Sequence, residues 1–213
     1  MSTPYSEDDN LSSEQAGRVL ETIREFANIG AGSAATALSS MLDLELMNEV
    51  TACSILPLAD VTDWLGGPEQ VVAGSYTQLC GDLRSGILVI LPEHSAKTLL
   101  EYLTKEKVDF SKLNDIQRSA LKEVGNICLC WYLIAVSKMV NIDMIPSPPD
   151  ATVDLLGAVL DMPLATLGAK VDTVLAVHTC FKGIDREFEG YFLMLPEEST
   201  LRLILDRMGE PKG

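Results

Sequence analysis

The sequence is poor in basic residues. Its 213 residues include 16 Lys and Arg against 31 Asp and Glu, for a formal net charge of −15. Such an excess of negative charge argues against a nucleic-acid or anionic-membrane partner, since both repel an acidic surface. Histidine is scarcer still: His94 and His178 are the two copies, far apart in the chain, so no Ser-His-Asp or Cys-His set is indicated.

The sequence also lacks the signs of a disulfide framework or a targeting segment. The N-terminus has neither a basic n-region nor an apolar h-region, and no continuous apolar run approaches about 18 residues. The five cysteines form no CxxC pair, and their odd number favours buried thiols in a reducing compartment. Adjacent members 128 and 130 would lie about 200° apart on a helix, so they would not chelate one metal ion. These features predict a soluble, cytoplasmic protein without a metal site; the cysteines are Cys53, Cys80, Cys128, Cys130 and Cys180.

What the sequence does have is a long amphipathic segment from Asn114 to Met139. Asn114 suits the N-cap of a helix, and Gln117 stands where it would complete a capping box. Apolar residues recur at spacings of three and four, which is the period of a helix with one buried stripe. The predicted stripe contains Leu113, Ile116, Ala120, Val124, Ile127, Trp131 and Ile134.

A polar stripe runs along the same predicted helix. Ser119, Glu123 and Asn126 stand at i, i+4 and i+7 and therefore project from one face. An acid and an amide on a helix surface are usually only solvated, but this pattern occurs twice. The earlier copy lies in another predicted helix, with the same spacing: Glu21, Glu25 and Asn28.

The rest of the chain repeats as well. The triplet Leu-Pro-Glu opens both 91–103 and 195–207, and a polar cap and an apolar helical pattern follow it each time. We therefore predict a tandem duplication, with repeats at about 12–104 and 113–208. Each repeat alone would leave a small sheet with an exposed edge, so we expect one domain over 12–213, after a disordered tail at 1–11.

The predicted fold class is α+β, an α/β sandwich. The duplicated helix–strands–helix unit forms one continuous sheet with pseudo-twofold symmetry, and the two long motif helices pack on it. The first helix is expected over 12–42, with Ser12 and Gln15 as its capping box. Strands are expected at 46–56, 71–79, 86–91, 142–145, 151–160, 171–181 and 188–195.

The doubled motif resembles that of the CheC family of chemotaxis phosphatases, which includes CheX and FliY. The family pattern is Asp or Ser, three residues, Glu, two residues, Asn, then twenty-two residues and Pro. The second copy fits throughout, from Ser119 to Pro149. The first copy departs from it, because Glu21 replaces Asp or Ser and Thr51 stands at the proline position. The resemblance extends over about 12–208.

The resemblance implies a phosphatase that hydrolyses the aspartyl phosphate of a CheY-like receiver domain. Asn126, and Asn28 in the first copy, would orient the attacking water, while Glu123 and Glu25 would anchor the partner. Such roles suit the side chains, because an amide both donates and accepts hydrogen bonds and a helix fixes its distance from the carboxylate. Ser119 and Pro149 would support the motif. The Mg²⁺ and the phosphorylated Asp would belong to the partner, so no cofactor is expected here.

Two other functions remain open. An adaptor would bind a receiver domain, or the receptor deamidase CheD that the family implies as a partner, without catalysis. A weaker reading is a flagellar switch component. The intact pair Glu123 and Asn126 favours the enzyme, since an adaptor needs no water-orienting amide. In the first copy, Glu21 places a like charge beside Glu25. We therefore expect the Asn126 site to carry most of the activity.

Overall fold

The computed structural model describes residues 13–80, 84–167 and 171–209, so the predicted capping box at Ser12 and the tail at 1–11 lie outside the described residues. Six helices and seven strands occupy the described part of the chain. In chain order they are α1 (Ser13–Leu42), β1 (Met47–Pro57), α2 (Val61–Trp64), β2 (Val71–Cys80), β3 (Ser85–Pro92), α3 (Glu93–Thr104), α4 (Asp115–Val140), β4 (Ile145–Pro146), β5 (Asp150–Leu155), α5 (Leu156–Leu167), β6 (Thr173–Lys182), β7 (Glu187–Pro196) and α6 (Glu198–Gly209).

The seven strands form one antiparallel sheet. Its order is β1-β6-β7-β3-β2, and both β4 and β5 pair with β2 at the far edge. The two halves of the sequence interleave, because β1 pairs with β6 of the second half while β5 pairs with β2 of the first. The central pair, β3 and β7, joins one hairpin from each half. The predicted continuous sheet is therefore confirmed.

Helices cover both faces of this sheet. The larger core lies under α1, α3, α4 and α6, and the smaller core lies under α2 and α5. Helices α1 and α4 pack on each other at Gly30, where an added Cβ would stand 3.2 Å from both Tyr132 and Ala135. Tyr132 also stacks on Phe192 of the sheet at 4.5 Å between ring centroids. The long helices thus lie close together on one face of the sheet.

One contact between a strand and a helix occurs in both halves of the chain. Ser95 accepts a hydrogen bond from the Glu189 amide, and Thr200 accepts the equivalent bond from the Arg84 amide. The corresponding residues of the two contacts are 105 positions apart in the chain, and so are the first residues of α3 and α6 (93 and 198). The Leu-Pro-Glu triplets are 104 positions apart (91 and 195). Strands β3 and β7 both end at the proline of the triplet, Pro92 and Pro196, so the additional residue of the second half is Glu197, between β7 and α6.

Helix α4 begins as predicted but buries a different stripe. Asn114 Oδ1 accepts from the Gln117 amide at 2.9 Å, and Gln117 Oε1 accepts from the Asn114 amide at 3.0 Å, so the capping box is complete. Two members of the predicted buried stripe are exposed: Ile116 at 72% and Ile134 at 41%. The helix packs on α1 as well as on the sheet, and this rotates the buried face by about one residue. The most buried line is Leu113, Gln117, Leu121, Val124 and Cys128.

The strand predicted over 151–160 is wrong in its second half. Strand β5 ends at Leu155, and α5 follows directly over Leu156–Leu167. The apolar residues after β5 are buried at spacings of three and four, which is a helical period rather than that of a strand. They are Leu156, Val159, Leu160, Pro163 and Leu167. The short helix α2 ends at Trp64, and Gly66 and Gly67, which follow it, both have positive φ.

By length and composition α4 could cross a membrane, with a mean hydropathy of 1.3 over its most apolar window. Here it packs against α1 and the sheet, and the core helix of a soluble protein has the same features. A membrane-spanning helix usually has about 18 or more continuous apolar residues, and charged side chains interrupt the apolar sequence of α4.

Gly125 provides a test of how closely α4 lies on the sheet. An added Cβ would stand 2.5 Å from Ser75 Cβ of β2, a contact that no side-chain rotation relieves. Gly125→Ala should therefore lower the free energy of unfolding by about 1–3 kcal/mol. Urea denaturation measures this change. The matched control is Gly17→Ala in α1, where nothing lies within 4 Å and stability should rise by up to about 1 kcal/mol. Equal effects of the two substitutions would contradict the packing described.

Candidate functional site

The two polar stripes lie on the outer surfaces of α1 and α4. Glu25, Asn28, Ser119 and Glu123 are exposed, and Asn126 is half-buried. In both helices the buried apolar residues face the sheet, so the polar residues of the motif face outward. Glu21, which departs from the motif, is exposed as well. The motif side chains therefore stand on a convex helical surface rather than in a cleft.

The carboxylates of this surface have no intramolecular partner among the residues that the structure describes. Neither Glu123 nor Glu25 forms a hydrogen bond or an ion pair with a described residue. The side-chain amide of Asn28 forms no hydrogen bond with a described residue either. Asn126 differs, because its Oδ1 accepts a hydrogen bond from Cys130 Sγ at 3.6 Å. The unpaired acids are thus available to an external cation.

The hydrogen bond from Cys130 to Asn126 has no counterpart in the first motif, because the sequence there has no side chain to form it. Cys130 follows Asn126 by one helical turn, and the corresponding position after Asn28 is Gly32, which has no side chain. The thiol is a weak donor that uses one of the two lone pairs on the Asn126 oxygen and so favours one orientation of the amide. The Asn28 amide has no corresponding side chain beside it. Nothing in the sequence motif pointed to Cys130.

Burial keeps this thiol in its protonated form. Burial raises the pKa of Cys130, and the nearby carboxylate of Glu123 raises it further. Burial also raises the pKa of Cys128 to about 12. Because a thiol above its usual pKa is a poor nucleophile at neutral pH, Cys130 acts here as a hydrogen-bond donor and not as a reacting group.

The proline position of the motif falls on an interrupted edge strand in both halves. Thr51 lies at a register shift in β1, between Val50 and Ala52. Pro149 lies between β4 and β5, where the opposite edge strand is broken. Proline suits such a position because it has no amide hydrogen to contribute to the sheet. Threonine at 51 instead places its hydroxyl 2.6 Å from His178 Nδ1.

Exposed apolar side chains border the motifs. Ile116 extends the line of Ser119 and Glu123 by one turn and is 72% exposed. Ile29, beside Asn28, is 46% exposed, and Ile134 on α4 is 41% exposed. Isolated exposed isoleucines are common, but Ile116 stands in the same stripe as the motif acid. The combination of an unpaired acid, an amide and an apolar residue suits contact with another protein.

Solved structures with this fold include those of FliY and FliM. Thermotoga maritima FliY matches with a TM-score of 0.71 and 17% identity, covering 93% of this chain and 97% of that one. Helicobacter pylori FliM, solved in a complex with SpeE, matches with a TM-score of 0.68 and 13% identity, covering 94% and 97%. At these identities the likeness concerns the fold, which this chain shares with FliY and FliM.

Sequence comparison narrows this class. The model of the CheC-like family matches residues 19–47, which contain the first motif. The CheY-P phosphatase CheC of Bacillus subtilis is 27% identical over 195 residues, which are 89% of this chain and 93% of that protein. The resemblance of the chain to the CheC family is thereby confirmed.

Alkylation of Cys130 tests the proximity of Glu123. Removing the charge with Glu123→Gln should lower the pKa of Cys130 and increase its rate of reaction with iodoacetamide at pH 8. The increase should be less than about tenfold, because burial is the larger cause of the raised pKa. Mass spectrometry of the Cys130 peptide measures the rate. Glu25→Gln, the corresponding change in α1, should leave the rate unchanged, and a slower reaction in Glu123→Gln would contradict the geometry.

Proposed function

We propose that the protein is a phosphatase that hydrolyses the aspartyl phosphate of a CheY-like receiver domain. The observation that carries the proposal is the outward face of α4, where unpaired Glu123 and the Asn126 amide stand one helical turn apart. The similarity to a relative named CheY-P phosphatase CheC supports the same activity. As a hydrolase of this kind, the protein would act in chemotaxis signalling.

The proposed reaction requires no covalent step on the protein. Hydrolysis of an acyl phosphate passes through a loose transition state, so catalysis depends mainly on an in-line water and on neutralised charge. The second lone pair of Asn126 Oδ1 accepts a hydrogen bond from that water and so orients it, and Nδ2 donates a hydrogen bond to a phosphoryl oxygen. Cys130 is a positioning residue, because its hydrogen bond fixes which way the amide faces.

Glu123 and Ile116 would hold the partner in place. An unpaired carboxylate can pair with a lysine on the partner, and a specific pairing fixes the register of docking. Ile116 adds an apolar contact on the same line of α4. We expect the receiver domain to supply the phosphorylated Asp and the Mg²⁺, so that hydrolysis requires no cofactor of the protein's own.

The two motifs should be unequal. The first has a second acid, Glu21, beside Glu25, and its Asn28 amide has no thiol to orient it. Asn126→Ala should therefore reduce acceleration of receiver dephosphorylation by about 100-fold, the usual cost of losing one pre-aligned hydrogen-bonding group. Asn28→Ala, the matched substitution, should retain most of the activity. The measurement is the decay of a phosphorylated CheY-like receiver with and without each variant.

The opposite ranking of the two variants would contradict the inequality of the sites. A protein that binds the phosphorylated receiver without accelerating its decay would support the second candidate function, an adaptor. The fold shared with FliM favours that alternative, because the FliM structure is a complex with another protein. Binding of CheD, or a role in the flagellar switch, would likewise be a non-catalytic binding function.

Docking through Ile116 can be tested separately from turnover. Ile116→Asp should weaken binding of the phosphorylated receiver by at least about fivefold, since it removes an apolar contact and adds a charge. Ile184→Asp is the matched control, because Ile184 is 93% exposed on the turn between β6 and β7. Calorimetric titration measures both affinities. Equal affinities for the two variants would show that the partner binds elsewhere.

A further inference from the structure

Both histidines of the chain meet at one carboxylate, although 84 residues separate them (94 and 178). His178 Nε2 lies 2.7 Å from Glu189 Oε2, and His94 Nε2 lies 3.6 Å from Glu189 Oε1. Their distance in the sequence gave no indication that they share a partner. Their convergence comes from the placement of α3 against the end of β7, where Ser95 binds the Glu189 amide.

A cysteine completes the cluster. Cys180 faces Glu189 across the β6–β7 pair, and His178 stands two residues before Cys180, so the three side chains share one face of the sheet. The imidazole nitrogen, the thiol sulfur and a carboxylate oxygen all lie within 4.8 Å of one another. This face is the one that α2 and α5 cover further along, opposite α1 and α4. The cluster is therefore separate from the motif surface.

We propose that His178, Cys180 and Glu189 bind a divalent transition metal ion of the zinc class, with His94 as a fourth ligand. Nitrogen, thiolate sulfur and carboxylate oxygen are the donors that such ions prefer. Bond lengths of about 2.0–2.3 Å in a tetrahedral site place ligand atoms about 3.3–3.8 Å apart, a spacing that small side-chain rotations achieve here. His94 is 64% exposed and has room to turn.

The residues around His178 hold its ring as a metal site requires. Thr51 Oγ1 lies 2.6 Å from Nδ1, and the His178 ring stacks on Tyr191 at 4.4 Å between centroids. A hydrogen bond to the second ring nitrogen fixes the tautomer and direction of a ligating histidine. Thr51 replaces the proline of the motif, and in this proposal its hydroxyl orients the His178 ring.

The local charge also suits a cation. Glu49 and Glu187 flank the cluster beside Glu189, and Lys182 pairs with Glu49 at 2.7 Å. The side chains of His178 and Glu189 are 19% and 28% exposed, so the site is partly desolvated yet open to an entering ion. On binding, the Cys180 S–H bond breaks and an S–metal bond forms. The proton leaves to solvent, and no oxidant or reductant takes part.

The test is a titration of the reduced, chelator-treated full chain with Co²⁺ and then Zn²⁺. We expect one equivalent of Co²⁺ to produce a thiolate-to-cobalt charge-transfer band, which Zn²⁺ abolishes. Cys180→Ser should lose that band, and Glu189→Gln should bind Co²⁺ at least about tenfold more weakly. Thr51→Val should weaken binding about 10- to 100-fold, as changes to the partners of metal ligands do.

Cys53→Ser is the matched control, because Cys53 lies on neighbouring β1 and faces the opposite core. It should keep both the band and the affinity. No band in the wild-type chain would overturn the proposal. So would a band that persists in Cys180→Ser, since this would place the ion at another thiol. Circular dichroism checks the fold of each variant, and if Cys180→Ser does not fold, Glu189→Gln and Thr51→Val decide.

Discussion

The structure depends on the packing of α1 and α4 against each other and against one face of the sheet. Gly30 allows the approach, since its Cα stands where any side chain would press on Tyr132 and Ala135, and Gly125 allows α4 to lie directly on Ser75 of β2. With their inner faces buried in this way, both helices can turn only one face outward. The doubled motif occupies that face, and the rigid support beneath it keeps the acid and the amide at a fixed separation.

Interleaving of the two halves reinforces this arrangement. Because β1 completes the second hairpin and β5 completes the first, neither half can leave the sheet without exposing the edge of the other. The relation is close to twofold, but its details have diverged. The second copy of the motif has Cys130 beside its amide and a true proline on its edge strand, whereas the first has Gly32 and Thr51. The first copy instead contributes a contact to His178 through Thr51.

Much of this was predictable, and the failures have identifiable causes. The capping box at Asn114 and the outward motif follow from local hydrogen bonding and helical period, which the sequence states directly. The burial of Ile116 was predicted wrongly, because a helix that packs on two neighbours buries a face that period alone does not fix. The strand prediction failed at the start of α5 because the composition of an apolar run, without the spacing of its residues, does not distinguish a strand from a helix. The meeting of His94 with Glu189 depends on where α3 docks, and no local pattern records that.

The central claim is that the outer face of α4 meets the partner's phosphoryl group. The most direct measurement is the structure of this protein bound to a CheY-like receiver domain that carries an acyl-phosphate mimic. We expect the Asn126 amide to lie within hydrogen-bonding distance of the mimic, with Glu123 paired to a cationic side chain of the receiver. A receiver domain bound to the opposite face of the sheet, with α4 left in solvent, would contradict it.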